Sequence, residues 1–362
     1  MLLTIIVFVL ILILLILVHE LGHFVMAKRA GIKVEEFGFG LPPRMFGIKK
    51  GETIYSLNWL PLGGFVRICG ENGPEEVQTE DESRAFYRQP IGKRAKVLVA
   101  GVAMNVILAI TLLGVGHWIG LPTIIEDTDV SSAAKVQITS VAFNSPAAEA
   151  GLNIGDTIKE LKFGEESIVP NKMIEIQNFT DSHLGEEITV VIERGKTNLD
   201  KNIIPRTESP ENEGPMGIGL ARTAIVSYPF YQAAIKGITS AVNLLWFTFA
   251  TLGSILWQLI TAGKVAGEIS GPVGIYNLAG QAIQLGFIYI LQLTALLSIN
   301  LAIINILPFP ALDGGRLLFL AIEKIKGSPV NQKIEGWIHT VGFALLILLL
   351  IAITWRDVVR LL

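Results

Sequence analysis

Charged residues are scarce in this chain. Only 17% of its 362 residues are Asp, Glu, Lys or Arg, 51% are hydrophobic, and the mean hydropathy is +0.54. An ordinary soluble protein of this length needs a more polar surface, so the composition excludes that class and predicts a polytopic membrane protein. The net charge is only −3, so we expect no nucleic-acid partner.

Cysteine is almost absent. Cys69 is the one cysteine, which excludes an internal disulfide and a thiolate metal cluster. Any zinc ion would need histidine and carboxylate ligands. The apolar N-terminal run also lacks a positively charged start and a small-residue cleavage site, so it does not read as a signal peptide. We expect it to persist as a transmembrane helix of about 25 residues.

The most specific motif stands at the end of this run, where residues 19–23 read H-E-L-G-H. On a helix, His19 and His23 share one face, so both imidazoles can reach one metal ion. Glu20 lies beside them, in position to accept a proton from the attacking water. The motif predicts a zinc hydrolase, and its place predicts peptide hydrolysis at or inside a membrane.

A catalytic zinc ion needs a third protein ligand, and Asp313 is the candidate. It follows a span that ends near Ile306, and an ionisable residue at membrane depth indicates function. Pro308 and Pro310 break the chain before it, which is tolerated where a polar cavity is lined. The alternative for Asp313 alone is an N-cap of a helix over 314–326.

Apolar, basic and alternating segments divide the chain into eight parts. In order they are a first transmembrane helix with the zinc motif (1–27), a cytoplasmic region (28–94), a second transmembrane helix (95–120), a β-rich domain (122–228), a membrane-associated helical region (229–284), a third transmembrane helix (285–307), the third ligand with a cytoplasmic loop (308–337) and a fourth transmembrane helix (338–356).

Residues 237–263 carry no charge, and by hydropathy alone they could span a membrane. If they crossed, the third span would run the opposite way and leave Asp313 on the far side from His19 and His23. We therefore expect residues 229–265 to be mostly helical and to lie in the membrane interface or against the bundle.

Basic residues predict the orientation. They flank the spans on one side, which is therefore expected to be cytoplasmic. The β-rich domain then lies outside the cell, and His19 and His23 lie toward the cytoplasmic end of their helix. The residues are Lys28, Arg29, Lys33, Arg88, Lys93, Arg94, Lys96, Arg316, Lys324, Lys326 and Lys333.

These motifs resemble the bacterial site-2 proteases, intramembrane zinc metalloproteases of the regulator-of-sigma-E protease type. The resemblance runs nearly end to end, and its pattern N-x-x-P-x-P-x-L-D-G is matched from Asn305 to Gly314. It implies that His19, His23 and Asp313 bind one Zn²⁺ per chain and that Glu20 is the catalytic base. Residues 145–158 resemble part of a PDZ module. The sigma-E type usually carries two such modules, and the residues available here fit one.

The segment from Ser56 to Arg67 resembles the membrane-dipping β-hairpin of that family. A protease must unwind a transmembrane substrate and hold it extended, which an exposed strand edge can do. We expect Gly63, Gly64 and Phe65, together with Asn305, to contact substrate. The alternative is a hairpin that only packs under the bundle.

The resemblance implies a polytopic α-helical membrane protein with about four transmembrane helices, an inserted PDZ-like domain and a membrane-associated β-hairpin. We expect a monomer in the bacterial inner membrane, in contact with lipid. It would cleave single-pass membrane proteins, such as pre-trimmed anti-sigma factors or leftover signal peptides, in regulated intramembrane proteolysis.

Two alternatives remain open at this stage. One is an inactive PDZ scaffold, and the other is a transporter that relays protons through His19, Glu20 and Asp313. The lone histidines His117, His183 and His339 lack ligand spacing, so we assign them no metal.

Overall fold

The computed structural model describes residues 1–71, 73–74, 77–125, 134–195, 197–210, 213–262 and 271–361. The predicted β-rich and membrane-associated segments are therefore described in part, because residues 126–133 and 263–270 lie outside these ranges. The described chain forms two compact units. One comprises residues 1–113, 237–277 and 292–362, and the other comprises residues 114–236 and 278–291.

Long helices alternate with short strands along the described chain. In order the elements are α1 (Leu2–Arg29), β1 (Val34–Lys50), β2 (Thr53–Ile68), α2 (Ile91–Ile119), β3 (Leu121–Ile124), β4 (Lys135–Val141), α3 (Pro146–Glu149), β5 (Thr157–Phe163), β6 (Glu166–Ile168), α4 (Met173–Ser182), β7 (Ile188–Arg194), β8 (Thr197–Ile203), β9 (Ile218–Val226), α5 (Phe230–Ala262), α6 (Pro272–Leu285), α7 (Phe287–Ile306), α8 (Asp313–Lys326) and α9 (Gln332–Leu361).

Within the described residues, five helices are long and apolar enough to cross a membrane. They are α1, α2, α7, most of α9 and, in α5, Phe230–Thr261. The polytopic α-helical class that composition predicted is confirmed. The uncharged segment is helical in α5, but that helix also has the length to cross. Four crossings therefore stay a prediction.

Two apolar clusters hold the first unit together. In one, fully buried alanines let α2, α5 and α7 approach closely at Ala109, Ala241 and Ala295. The other cluster joins α1, both strands of the hairpin, α2 and α8, and its buried members include Ala27, Val97 and Leu320. These elements carry every residue that the sequence nominated for the zinc ion, so the second cluster fixes their relative positions.

Strands β1 and β2 form a long, bent hairpin with several register shifts. Residues 36–39 lie between two stretches of β2, so that Gly38 is opposite both Ser56 and Phe65. The stretch 64–68 pairs with residues 34–39 on one side. Its other edge has no strand partner in the part of the chain that the structure describes.

The second unit is β-rich, as the alternating pattern predicted. Its described residues form a seven-stranded sheet of order β3-β9-β4-β5-β7-β8, with β6 paired to β5. Side chains from β4, β5, β7 and α4 form its core, including the fully buried Ile138, Leu161 and Ile176. Asp156 is fully buried and accepts two hydrogen bonds of 2.7 Å from Arg194, so this carboxylate serves the fold of the unit.

Candidate metal centre

His19 and His23 lie on one face of α1, as the four-residue spacing requires. Both imidazoles are buried, with 7% and 8% of each residue exposed. Their Nε2 atoms are 3.1 Å apart, and the two rings stand nearly perpendicular at 83°. Two nitrogen atoms at this distance need a proton or a metal ion between them, because unprotonated nitrogens are both acceptors.

Asp313 reaches the histidines because the chain turns after α7. Pro308 and Pro310 lie in this turn, where they cannot continue the helix. Asp313 is the first residue of α8, and Leu312 occupies the N-cap position. The capping alternative therefore does not describe Asp313. Its Oδ2 atom lies 3.1 Å from Nε2 of His19 and 3.2 Å from Nε2 of His23.

These three atoms form a nearly equilateral triangle with sides of 3.1, 3.1 and 3.2 Å. Tetrahedral zinc with ligand distances of about 2.0–2.1 Å places its ligand atoms about 3.3 Å apart. Two imidazole nitrogens and one carboxylate oxygen therefore fit a zinc ion in both chemistry and spacing. Among the described residues, this trio is the group of potential ligands that converges in this way.

Helix α2 contacts both imidazoles from behind. Nδ1 of His23 donates to the carbonyl oxygen of Val97 at 2.9 Å, which leaves Nε2 of His23 available to a metal. Nδ1 of His19 lies 3.4 Å from Nδ2 of Asn105, a fully buried residue. The Oδ1 atom of Asn105 has no hydrogen-bond partner among the described residues. A half-turn of this amide would bring Oδ1 to Nδ1–H of His19.

Gly101 of α2 faces the same two imidazoles. A Cβ atom at this position would lie 2.8 Å from Cε1 of His19 and 2.7 Å from Cε1 of His23, well inside van der Waals contact. Gly22 of α1 meets α2 in the same way, since its Cβ would lie 2.6 Å from the carbonyl carbon of Ala100. The absence of both side chains lets the two backbones approach closely enough for α2 to support the histidines.

The residues predicted to contact substrate lie close to the trio. Nδ2 of Asn305 is 3.4 Å from Nε2 of His19. Gly63 and Gly64 lie in β2, at the start of the open-edged stretch. They pack against α1: a Cβ on Gly64 would lie 3.8 Å from Cγ of Glu20, and one on Gly63 would lie 3.4 Å from Ile16. Phe65 follows and lines the same cavity as Glu20.

This cavity has a volume of about 760 Å³. Polar groups predominate at its wall, where the open-edged stretch of β2 faces the metal trio. The lining residues are His19, Glu20, His23, Glu35, Phe65, Val66, Arg67, Ile68, Gly70, Glu71, Leu98, Ala311, Leu312, Asp313 and Arg316. A polypeptide lying along residues 64–68 would therefore pass beside Glu20.

The buried carboxylate of Glu36 stabilises the bend of the hairpin. Burial of Glu36 raises the pKa of its carboxyl, but hydrogen bonds from Ser56 and Arg44 outweigh this and hold the pKa below its ordinary value. Arg44 contacts both carboxylate oxygens, at 3.1 and 2.6 Å. Glu36 is therefore a charged, paired residue that fixes the bend, because the strand around it lies between two stretches of β2.

The fold and this site together define a class, a zinc metalloprotease embedded in a membrane. The sequence matches Peptidase family M50 over residues 7–349. It is 32% identical to the regulator of sigma-W protease RasP of Bacillus subtilis, with 99% of each chain covered. It is 31% identical to the zinc metalloprotease RasP of Oceanobacillus iheyensis, again with 99% of each chain covered. The chain belongs to Peptidase family M50, the site-2 proteases.

Membership of this family makes the chain a zinc metalloprotease and sets aside the inactive scaffold and the transporter. The predicted Zn²⁺ cofactor is confirmed at the level of the family. The alignment with the Bacillus subtilis protein spans 434 positions, more than the 362 residues of this chain. That relative therefore contains internal segments that are absent here.

Motif reasoning missed two contributors to the site, Val97 and Gly101, and assigned no contact with His19 to Asn105. Val97 acts through its carbonyl, which no side-chain pattern reveals. Gly101 and Asn105 lie one helical turn apart, and a small residue next to a polar one in an apolar helix typically marks a close helix contact. That spacing was the available signal.

Proposed function

We propose that this intramembrane zinc protease cuts single-pass membrane proteins within or next to their transmembrane segments, in regulated intramembrane proteolysis. The observation that carries the proposal is the meeting of His19, His23 and Asp313 with Glu20 in one cavity that has an unpaired strand edge along its wall. Pre-trimmed anti-sigma factors and leftover signal peptides are the proposed substrates. The Bacillus subtilis relative is named as the regulator of sigma-W protease, which supports the first of these.

In this proposal Nε2 of His19, Nε2 of His23 and Oδ2 of Asp313 bind one zinc ion per chain. When bound, zinc polarises a carbonyl group and lowers the pKa of water. Glu20 accepts the proton of the attacking water and passes it to the leaving amine. Asn305 donates a hydrogen bond to the substrate carbonyl, which its 3.4 Å distance from Nε2 of His19 supports.

The substrate is proposed to bind as an added strand along residues 64–68. A transmembrane helix satisfies its own amides, so it must unwind before its peptide bonds become accessible. The free edge of this stretch offers the main-chain groups that an unwound segment needs. Gly63 and Gly64 keep side-chain bulk away from this path, and Phe65 contacts the substrate from the cavity wall.

The proposed topology places the site toward the cytoplasmic side and the PDZ-like unit outside the cell. Asp313 follows α7 and meets His19 and His23 near the end of α1, which supports α1 and α7 ending on the same side. With α2 crossing back between them, α5 would then not cross. The chain acts as a monomer in contact with lipid.

The proposed chemistry is tested with the purified chain and a single-pass substrate in detergent. Glu20→Gln is expected to keep about one zinc ion per chain and to lose cleavage, since only the proton acceptor is removed. His23→Ala is expected to lose both zinc and cleavage. Residual cleavage by Glu20→Gln would overturn the role of Glu20. Mass spectrometry of fragments from cells with active chain or Glu20→Gln identifies the substrates.

The PDZ-like unit is proposed to exclude proteins that have bulky extracytoplasmic domains, so that previously trimmed substrates enter. Deletion of residues 125–220 is then expected to increase cleavage of untrimmed proteins. Selectivity that stays the same after this deletion would contradict an excluding role.

A further inference from the structure

His339, which spacing alone gave no role, contacts the loop that carries Asp313. It lies in α9, and its side chain is 18% exposed. The backbone N–H of Ala311 donates to Nδ1 of His339 at 2.8 Å. Nδ1 must therefore be unprotonated, and the proton of the neutral ring is on Nε2. Nε2 has no hydrogen-bond partner among the described residues and lies 3.9 Å from Oε1 of Glu335, so the loop contact is the hydrogen bond that this ring makes there.

Ala311 is an unusual residue to find in this backbone conformation. Its φ is +76°, in the left-handed region that costs a residue with a side chain about 1 kcal/mol or more. Such a conformation persists when its surroundings hold it. Ala311 is two residues before Asp313, so a change in this turn would move the carboxylate directly.

Helix α9 contacts the same loop at a second point. Gly342 lies one turn after His339, and a Cβ atom there would lie 2.8 Å from the carbonyl oxygen of Pro310. The ring of Phe319, in α8, lies 5.5 Å from the imidazole of His339. His339 is thus held between the loop and α8, the helix that Asp313 begins.

We propose that His339 is a positioning residue for the third zinc ligand. Its Nδ1 atom holds Ala311 in the left-handed turn, and this turn presents Asp313 to His19 and His23. The proposal rests on the proposed function only for the identity of the ligand. It assigns α9 a supporting role at the site, although no described residue of α9 is a candidate ligand or lines the cavity around Glu20.

The test compares His339→Asn, whose Oδ1 atom can replace Nδ1 as an acceptor, with His339→Leu, which cannot accept a hydrogen bond. Thr340→Val is the matched control, because the adjacent Thr340 is exposed and its hydroxyl bonds to Gly336 of the same helix. Hydrogen exchange of the Ala311 amide is measured in metal-free protein. Zinc affinity is then measured by competition with a chelator.

We expect His339→Leu to speed exchange at Ala311 at least tenfold and to weaken zinc binding about 10- to 100-fold. His339→Asn and Thr340→Val should stay within about threefold of the parent chain. Unchanged exchange in His339→Leu would overturn the proposal, as would equal losses in the Leu and Asn variants. Gly342→Ala, which presses on Pro310, should weaken zinc binding in the same direction even if His339→Leu does not fold. Because exchange is read without metal, failure of the protease function would not change it.

Discussion

Nδ1 of His23 donates to the carbonyl oxygen of Val97 at 2.9 Å, across the contact between α1 and α2. The acceptor belongs to the backbone, so its position depends on how closely the two helices pack. Gly22 and Gly101 set that closeness. The orientation of a proposed zinc ligand is therefore determined by a helix that offers no ligand of its own.

Gly101→Ala is expected to weaken zinc binding at least about tenfold, because the added methyl group overlaps both imidazoles. Zinc affinity is measured by competition with a chelator. Gly92→Ala is the control, since a Cβ at Gly92 of the same helix has no neighbour within 4 Å. Equal affinities for the Gly101→Ala variant and the parent chain would show that the rings can move aside.

Asn105→Leu is expected to lower zinc affinity about tenfold, because the Nδ1–H of His19 would lose the acceptor that Oδ1 provides after a half-turn of the amide. Asn105→Asp should keep most of the affinity, since a carboxylate can accept the same bond. The two variants are compared by zinc titration and by thermal unfolding in detergent. A loss that is equal in both would point to packing at this buried position instead of the hydrogen bond.

Removal of zinc is expected to lower the melting temperature by several degrees. The ion would tie α1 to α8, and a ligand present at 100 times its Kd stabilises the folded state by about 2.7 kcal/mol. Melting is followed in detergent with and without a chelator. Asp313→Ala should melt at the same temperature in both conditions. A chelator effect that persists in this variant would place the stabilising metal elsewhere.

Labelling tests the path of α5. In a Cys69→Ser background, a cysteine introduced at Thr261 should react with an impermeant maleimide added outside intact cells. A cysteine at Lys326 should react only after the membrane is opened. The reason is that α5 is proposed to start and end on the extracytoplasmic side. Protection of the cysteine at Thr261 until the membrane is opened would mean that α5 crosses.

Acid is expected to loosen the hairpin turn through Glu52. Arg84 and then Lys28 donate hydrogen bonds to Glu52 and lower its pKa to about 2 from an ordinary 4.5. The ion pairs therefore contribute stability fully above pH 4.5, and this contribution disappears as the pH falls toward 2. Glu52→Gln should lower the free energy of unfolding by about 1 kcal/mol at pH 7. In acid, the free energy of unfolding of this variant should fall less steeply than that of the parent chain. If the free energies of unfolding of the variant and the parent chain fall in parallel as the pH is lowered, the prediction is contradicted.

The candidate ligand trio could be nominated from sequence, and the structure brings its three residues together. H-E-L-G-H fixes two nitrogens through helix geometry alone, and Pro308 and Pro310 mark the break before Asp313. Alternating residues likewise identified the β-rich unit. The contacts from α2 and α9 could not be predicted, because they depend on a carbonyl group, a missing Cβ and a distant imidazole. Each gains its meaning only when two helices are packed together.

The close contact at Gly101 has a consequence for recognising enzymes among relatives in genomes. A chain could keep every residue of H-E-L-G-H and of L-D-G and still be unable to load metal, because a larger residue in the second helix would fill the space of the rings. Such a chain would be a pseudoprotease with an intact signature. If Gly101→Ala loses metal as expected, the residue at position 101 would identify such a chain where the signature itself cannot.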